Sequence, residues 1–277
     1  MLQFYDRMKS TSLLALAAAG GCLLAPTALA ATGCNTTDGY DADLSAYVTE
    51  ATTCIRETDR LRTDVSDDVI ALLNADRVAG GLEPLGQRES LDQAAAAHAL
   101  DMSSRRYAAH SDKEGRDHIY RVRAFDRSLL LGATGANVIV TKPGASAAEI
   151  YQTLKEDELN AKNLVRDGFS DIGMAVAEYG GQYYIVQIFA SVEGELKQDL
   201  PLKVSQNTPI RATLSDGTRE VIGWGLTDHE TGEVLARGKS SRMRSAFLKG
   251  SDAATLDFVV TDQQSTYILK GPMITAQ

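Results

Sequence analysis

The chain has 277 residues, 44% of them hydrophobic and 23% charged, with a formal net charge of −9. That composition supports a packed core and leaves disorder to the ends, while the length sets a starting expectation of about two domains. An acidic field repels polyanions, and no Lys/Arg run with interleaved aromatics overrides it, so nucleic acid is excluded as the expected partner.

Arg7 and Lys9, the apolar stretch Leu13 to Leu24, and Ala28-Leu29-Ala30 follow the order of a secretory signal: positive start, apolar run, small-residue cleavage site. We expect residues 1–30 to be a signal peptide cleaved after Ala30, which places the mature chain in the extracellular space or periplasm. The apolar run is too short to cross about 30 Å of hydrocarbon, and no later segment is longer, so no transmembrane helix is expected in the mature protein. Cys34 and Cys54 remain once the leader with Cys22 is removed. In an oxidising compartment they are expected as a disulfide rather than a metal site, closing a loop of about 20 residues for roughly 3 kcal/mol. Two free thiols are the alternative. Lipid attachment at Cys34 lacks the leucine usual three residues earlier, where Ala31-Thr32-Gly33 stands.

Leu44, Tyr47, Val48, Ala51, Ile55 and Leu61 fall near helical spacing and predict a helical arm over 31–64. Ser66 then reads as the N-cap of a helix carrying Val69, Leu72 and Leu73, which Gly80-Gly81 stops. Ser90 and Gln93 fit a capping box for a second helix with Leu91, Ala94, Ala95, His98 and Met102 on one stripe. His98 therefore reads as a hydrogen-bonded core histidine rather than a ligand. A short amphipathic piece around Ile119 and Val122 precedes a strand at Ala136 to Val140. Ser146 with Glu149 opens another helix, whose apolar face runs from Ala147 to Val165 and ends at Gly168. Ile172, Met174 and Val176, then Tyr184, Val186 and Ile188, alternate on either side of Gly180-Gly181, the pattern of a hairpin.

Beyond Glu193 short β-type runs appear at Ile210 to Leu214, Glu220 to Leu226, Val234 to Arg237, Ala246 to Leu248, Leu256 to Thr261 and Tyr267 to Leu269. Turn signals such as Ser215-Asp216-Gly217 and Glu230-Thr231-Gly232 separate them. The expected organisation is α+β: a helix-and-sheet domain over 65–192, then a small, mostly antiparallel, sandwich-like β-domain over 195–277.

Several fragments stand in one order: Leu73-Asn74-Ala75-Asp76-Arg77 with Gly81-Leu82-Glu83-Pro84-Leu85, Ala109-His110-Ser111, and Asn163-Leu164 before Phe169-Ser170-Asp171-Ile172-Gly173. Tyr184-Ile185-Val186-Gln187-Ile188-Phe189-Ala190 closes the set. Together they resemble the bacterial branch of the CAP superfamily (cysteine-rich secretory, antigen 5, pathogenesis-related; SCP-like domain) from about Val69 to Ala190. The resemblance implies an α/β/α sandwich with a cavity where two histidines and two acids converge and can hold a divalent cation. His110 matches the first histidine. The first acid is replaced by Ala136, before Asn137; Asp157 stands near the second acid; and Asn160 aligns with the second histidine. One imidazole and one carboxylate fall short of the three or four protein ligands of ordinary zinc sites, so no metal and no other cofactor is expected. His118 reads as a helix-surface residue rather than a substitute ligand.

No independent catalytic pattern emerges: Ser111 and Asp112 merely adjoin His110, and no Gly-x-Ser-x-Gly turn or phosphate-cradling glycine loop is present. Trp224, the single tryptophan, reads as core rather than as a binding platform. Arg237, Lys239, Arg242, Arg244 and Lys249 form the basic concentration of an acidic chain, suited to an anionic cell-surface polymer or a solvated face. The expectation is an exported, non-catalytic CAP protein binding an unidentified small ligand or envelope partner. Its polar pocket would be lined by His110, Asn137, Asp157 and Asn160. The alternatives are an envelope hydrolase with His110 as general base oriented by Asp157, and a CAP spacer whose β-domain adheres.

Overall fold

The computed structural model describes Cys34 and residues 36–248 and 250–276. The expected leader with its cleavage site, and Lys249 of the basic concentration, lie outside the described residues. In chain order the elements are α1 Leu44–Glu57, α2 Thr63–Ala79, β1 Gly86–Gln87, α3 Glu89–Arg105, α4 His118–Phe125, β2 Leu129–Thr141, α5 Ala147–Glu156, α6 Glu158–Leu164, β3 Asp171–Tyr179 and β4 Gln182–Leu196. The strand-rich remainder comprises β5 Lys203–Val204, β6 Thr208–Pro209, β7 Ala212–Leu214, β8 Glu220–Asp228, β9 Val234–Gly238, β10 Arg242–Met243, β11 Ala254–Thr261 and β12 Thr266–Ala276. Cys34 and Cys54 are joined as a disulfide, tying the chain before α1 to that helix.

The α+β expectation holds, and side-chain alternation shows why. Tyr184, Val186, Ile188 and Ala190 of β4 pack into one cluster with α1, α3 and α4 residues such as Tyr47, Leu91, Leu100 and Val122. Tyr183, Ile185 and Phe189 point the other way, into a cluster with Val69, Leu73, Ile150, Leu154 and Leu164 of α2, α5 and α6. A strand whose successive residues from Tyr183 to Ala190 are apolar except for Gln187 is thus buried on both faces by helices, because its side chains alternate across the sheet. On β3 the residues facing α3 are small: Gly173, Ala175 and Ala177. They let α3 approach closely, and a methyl added at Gly173 would come within 2.1 Å of the Leu91 carbonyl carbon and 2.3 Å of the Asp92 nitrogen.

Among the described residues the larger sheet has 10 strands, ordered β1-β3-β4-β2-β12-β11-β8-β9, with β5 beside β12 and β7 beside β4. The strands beyond residue 196 enter it where Lys270 pairs with Leu131 and where Ala212–Leu214 pairs with β4. A third cluster, with Trp224, Leu226, Leu256, Phe258 and Leu269, fills this region. Trp224 is core, as expected, and its Nε1 donates to the Ser240 carbonyl at 2.8 Å. Arg123 of α4 reaches across, donating to the Gly271 carbonyl at 2.7 Å and to Asp257 at 2.6 Å.

Several local expectations are corrected. Ser66 is not an N-cap: Arg62 N bonds to Val176 O at 2.9 Å, and once pinned there the chain turns into α2 at Thr63. Ser90 and Gln93 form no capping box; α3 begins at Glu89, and the Ser90 hydroxyl donates to Asp126 instead. The box at Ser146 and Glu149 is present, but its helix breaks at Asp157, which ends α5 and caps α6. Ala246 to Leu248 lies in a 3-10 turn rather than a strand. The strand placed at Ala136 begins earlier, at Leu129.

Gly173→Ala is expected to destabilise the fold by about 3 kcal/mol, because backbone rather than a flexible side chain must move. Gly225→Ala, where an added methyl meets nothing within 4 Å, is expected to change little. Urea denaturation of the two variants beside wild type checks the contrast.

Candidate functional site

β2 carries two of the positions expected at the cavity, and alternation sends these neighbours, Ala136 and Asn137, to opposite faces. Asn137 is fully buried and faces α6. Its Nδ2 donates to Gln187 Oε1 at 3.0 Å and to the Asn160 carbonyl at 3.2 Å, and its Oδ1 accepts from Asn163 Nδ2 at 2.8 Å. The amide is therefore satisfied from within, as a polar group between two helical layers must be. Gly135 makes room for this knot, since a methyl there would stand 2.8 Å from Asn163 Oδ1. Asn160 is buried on α6 and supplies its backbone carbonyl. Asp157 is exposed, and its Oδ1 accepts from the backbone amides of Leu159 at 3.0 Å and Asn160 at 2.8 Å. That is the work of an N-cap.

His110 belongs to a different neighbourhood. It is exposed, in the loop between α3 and α4, and its carbonyl accepts from Arg121 Nη2 of α4 at 2.6 Å. Beneath it His98 is buried with Nε2 at 2.7 Å from the Ala109 carbonyl. Burial, with Arg121 adding repulsion, pushes the His98 imidazole well below its usual range, so it is neutral. His98 Nδ1 and Arg121 Nε are buried with no hydrogen-bond partner. His118 is half-buried at the start of α4, not a surface residue; its Nε2 lies 3.2 Å from Thr134 Oγ1. Burial brings it down to about 4, against the opposing pull of Asp117. Among the described residues no hydrogen bond joins His110 to Asn137, Asp157 or Asn160: three of the four expected lining residues gather at α6, and the histidine stands with α4.

The loop holding His110 is fastened by a charge network that sequence reading missed. Asp101, Asp112 and Glu114 bring carboxylate oxygens within 4.8 Å of one another. Arg105 donates to Asp101 through Nε at 2.7 Å and to Glu114 through Nη1 at 2.6 Å, and Arg116 Nε donates to Asp112 at 2.7 Å. Tyr107 adds its hydroxyl to Asp101. The Arg105 guanidinium holds the Glu114 carboxyl below the usual range. Arg116 also donates to the Asp41 carbonyl at 2.7 Å and stacks over the Tyr47 ring at 4.5 Å, joining the loop to the start of α1. The i,i+4 spacings Asp101–Arg105 and Asp112–Arg116 were the signal for these pairs.

The cation implied by the family does not fit these donors. Ala136 offers no ligand, Asn160 replaces an imidazole, and Asp157 is committed to a helix end. In the acidic trio two guanidinium groups already hold the carboxylates that a metal would need.

Residues 70–189 match the sequence profile described as CAP, the Cysteine-rich secretory protein family. No curated protein matches the chain. Among solved structures, an outer surface protein from Borrelia burgdorferi is 15% identical with a TM-score of 0.42, over 47% of this chain and 93% of that one. An extracellular protein containing a SCP domain from Bacillus anthracis str. Ames is 21% identical with a TM-score of 0.37, over 45% of this chain and 39% of that one. A cysteine-rich secretory protein from Staphylococcus aureus is 12% identical with a TM-score of 0.35, over 49% of this chain and 40% of that one. This chain thus spans about two fifths of the length of the last two.

Asn137→Ala is expected to cost about 2 kcal/mol, since it leaves the buried Gln187 Oε1 without its donor. The free energy of unfolding in urea measures it. Over residues 70–189, then, this chain is similar to the CAP domain of the cysteine-rich secretory protein family.

Proposed function

We propose that this chain is an exported CAP protein that acts without catalysis, recognising a ligand or partner at the cell envelope through the surface around His110. One observation carries the reading: every acid near the histidine or expected beside it is spent on structure. Asp101, Asp112 and Glu114 meet Arg105 and Arg116, and Asp157 caps α6. A general base needs a group that orients it, and among the described residues the His110 side chain has no such carboxylate. Export is supported by the leader pattern of residues 1–30 and by the Cys34–Cys54 disulfide, which is stable in oxidising compartments. Among the described residues no helix is long and apolar enough to cross a membrane.

The test uses residues 31–277, secreted and purified, on cell-wall and peptide substrates beside His110→Ala. Neither protein is expected to turn over any of them. Turnover by the wild type that His110→Ala abolishes would establish the hydrolase instead.

A further inference from the structure

Lys197, Gln198, Pro209, Arg211 and Arg242 line a cleft of about 250 Å³. Three of these residues are cations and none is an acid. They come from three separate stretches of chain that backbone hydrogen bonds lay side by side. Leu196 of β4 pairs with Ala212 of β7, and Lys197 N donates to Arg211 O at 2.8 Å. Ile210 N donates to Ser241 O at 3.0 Å, and Arg242 of β10 pairs with Pro209 of β6. Pro209 and Arg242 lie in the short β6–β10 pair, while Lys197 and Arg211 lie just beyond the ends of β4 and β7 and are joined to each other by a backbone hydrogen bond.

The cations of this molecule divide into those held by carboxylates and those that are not. Arg62, Arg88, Arg105, Arg116, Arg123 and Arg219 each meet a carboxylate. Among the described residues no ion pair includes Lys197, Arg211 or Arg242. Arg242 Nη1 donates to the Asn207 carbonyl at 3.3 Å, which leaves its other donors uncommitted. Asp199, two residues after Lys197, lines a different groove with Arg88 and Arg127. In a chain with 37 acidic and 28 basic residues, like charges gathered at one concave site repel one another until an anion enters, and concave walls focus their field.

We propose that this cleft binds a phosphoryl group. Two guanidinium forks and one ammonium match the paired oxygens of a tetrahedral phosphate, and the Gln198 amide adds a neutral donor. Three positive charges also exceed what a single carboxylate neutralises. The site lies apart from His110 and rests on none of the reasoning about that histidine. It gathers Arg242 from the basic concentration into a defined pocket with partners from elsewhere in the chain.

Calorimetric titration of residues 31–277 at low salt, with inorganic phosphate, a glycerol phosphate oligomer and acetate, tests this. Saturable binding of a phosphate probe is expected, weakened about tenfold by Arg211→Gln or Arg242→Gln and reduced by added salt. Both arginines are exposed, so the variants are expected to fold, which thermal unfolding verifies. Tighter binding of the oligomer per phosphate would identify an envelope polymer as the source, and equal binding a free phosphorylated compound. Binding of neither phosphate probe, acetate binding as well as phosphate, or phosphate binding untouched by both substitutions would overturn the proposal.

Discussion

A sheet covered by helices on both faces has no water to offer a polar side chain at its centre, and this constraint governs the region around β2. Asn137 sits there fully buried, and the molecule answers with Gln187 from the neighbouring strand and Asn163 and the Asn160 carbonyl from α6. The same bonds that satisfy the amide fasten α6 to the sheet. An unpaired amide in such a place costs about 1–3 kcal/mol, a large share of a typical domain's net stability. The polar residues at this point are therefore fully employed in holding the fold, and the Asp157 carboxylate that caps α6 is employed in the same way.

On the opposite face the fastening is ionic. Arg105 and Arg116 hold the loop between α3 and α4 through Asp101, Asp112 and Glu114, and Arg121 fixes the His110 carbonyl from below. Buried pairs of this kind are weak evidence for added stability, because desolvation offsets much of the Coulomb attraction. Their geometric effect is clearer: a loop between two helices is held at several points and presents one imidazole outward.

Much of the fold was legible because it depends on local pattern. Alternation along Tyr183 to Ala190, the glycine turn at Gly180-Gly181, the box at Ser146 and Glu149, the cysteine pairing and the apolar stripe containing His98 all follow from residues close in sequence. What was misread depends on partners far along the chain. Ser66 and Ser90 have the chemistry of caps, yet Arg62 bound to Val176 and Asp126 bound to Ser90 redirect them. His118 looked like a surface residue until Thr134 on β2 stood beside it. The joining of β12 to β2 at Lys270 and Leu131 has no sequence signature, since cross-strand register is set by packing. For the site, the expectation of a missing acid at Ala136 came from the resemblance to the CAP family and not from the residues alone. That the remaining carboxylates are held by arginines was readable only as four-residue spacings, and the convergence of Lys197, Arg211 and Arg242 was not readable at all.

The account turns on the donors around His110 being committed to the fold and therefore unable to close around a cation. Calorimetric titration of the purified mature protein with zinc at neutral pH measures that directly. The account predicts no stoichiometric uptake. One zinc bound per chain, tightly and with loss on His110→Ala, would contradict it.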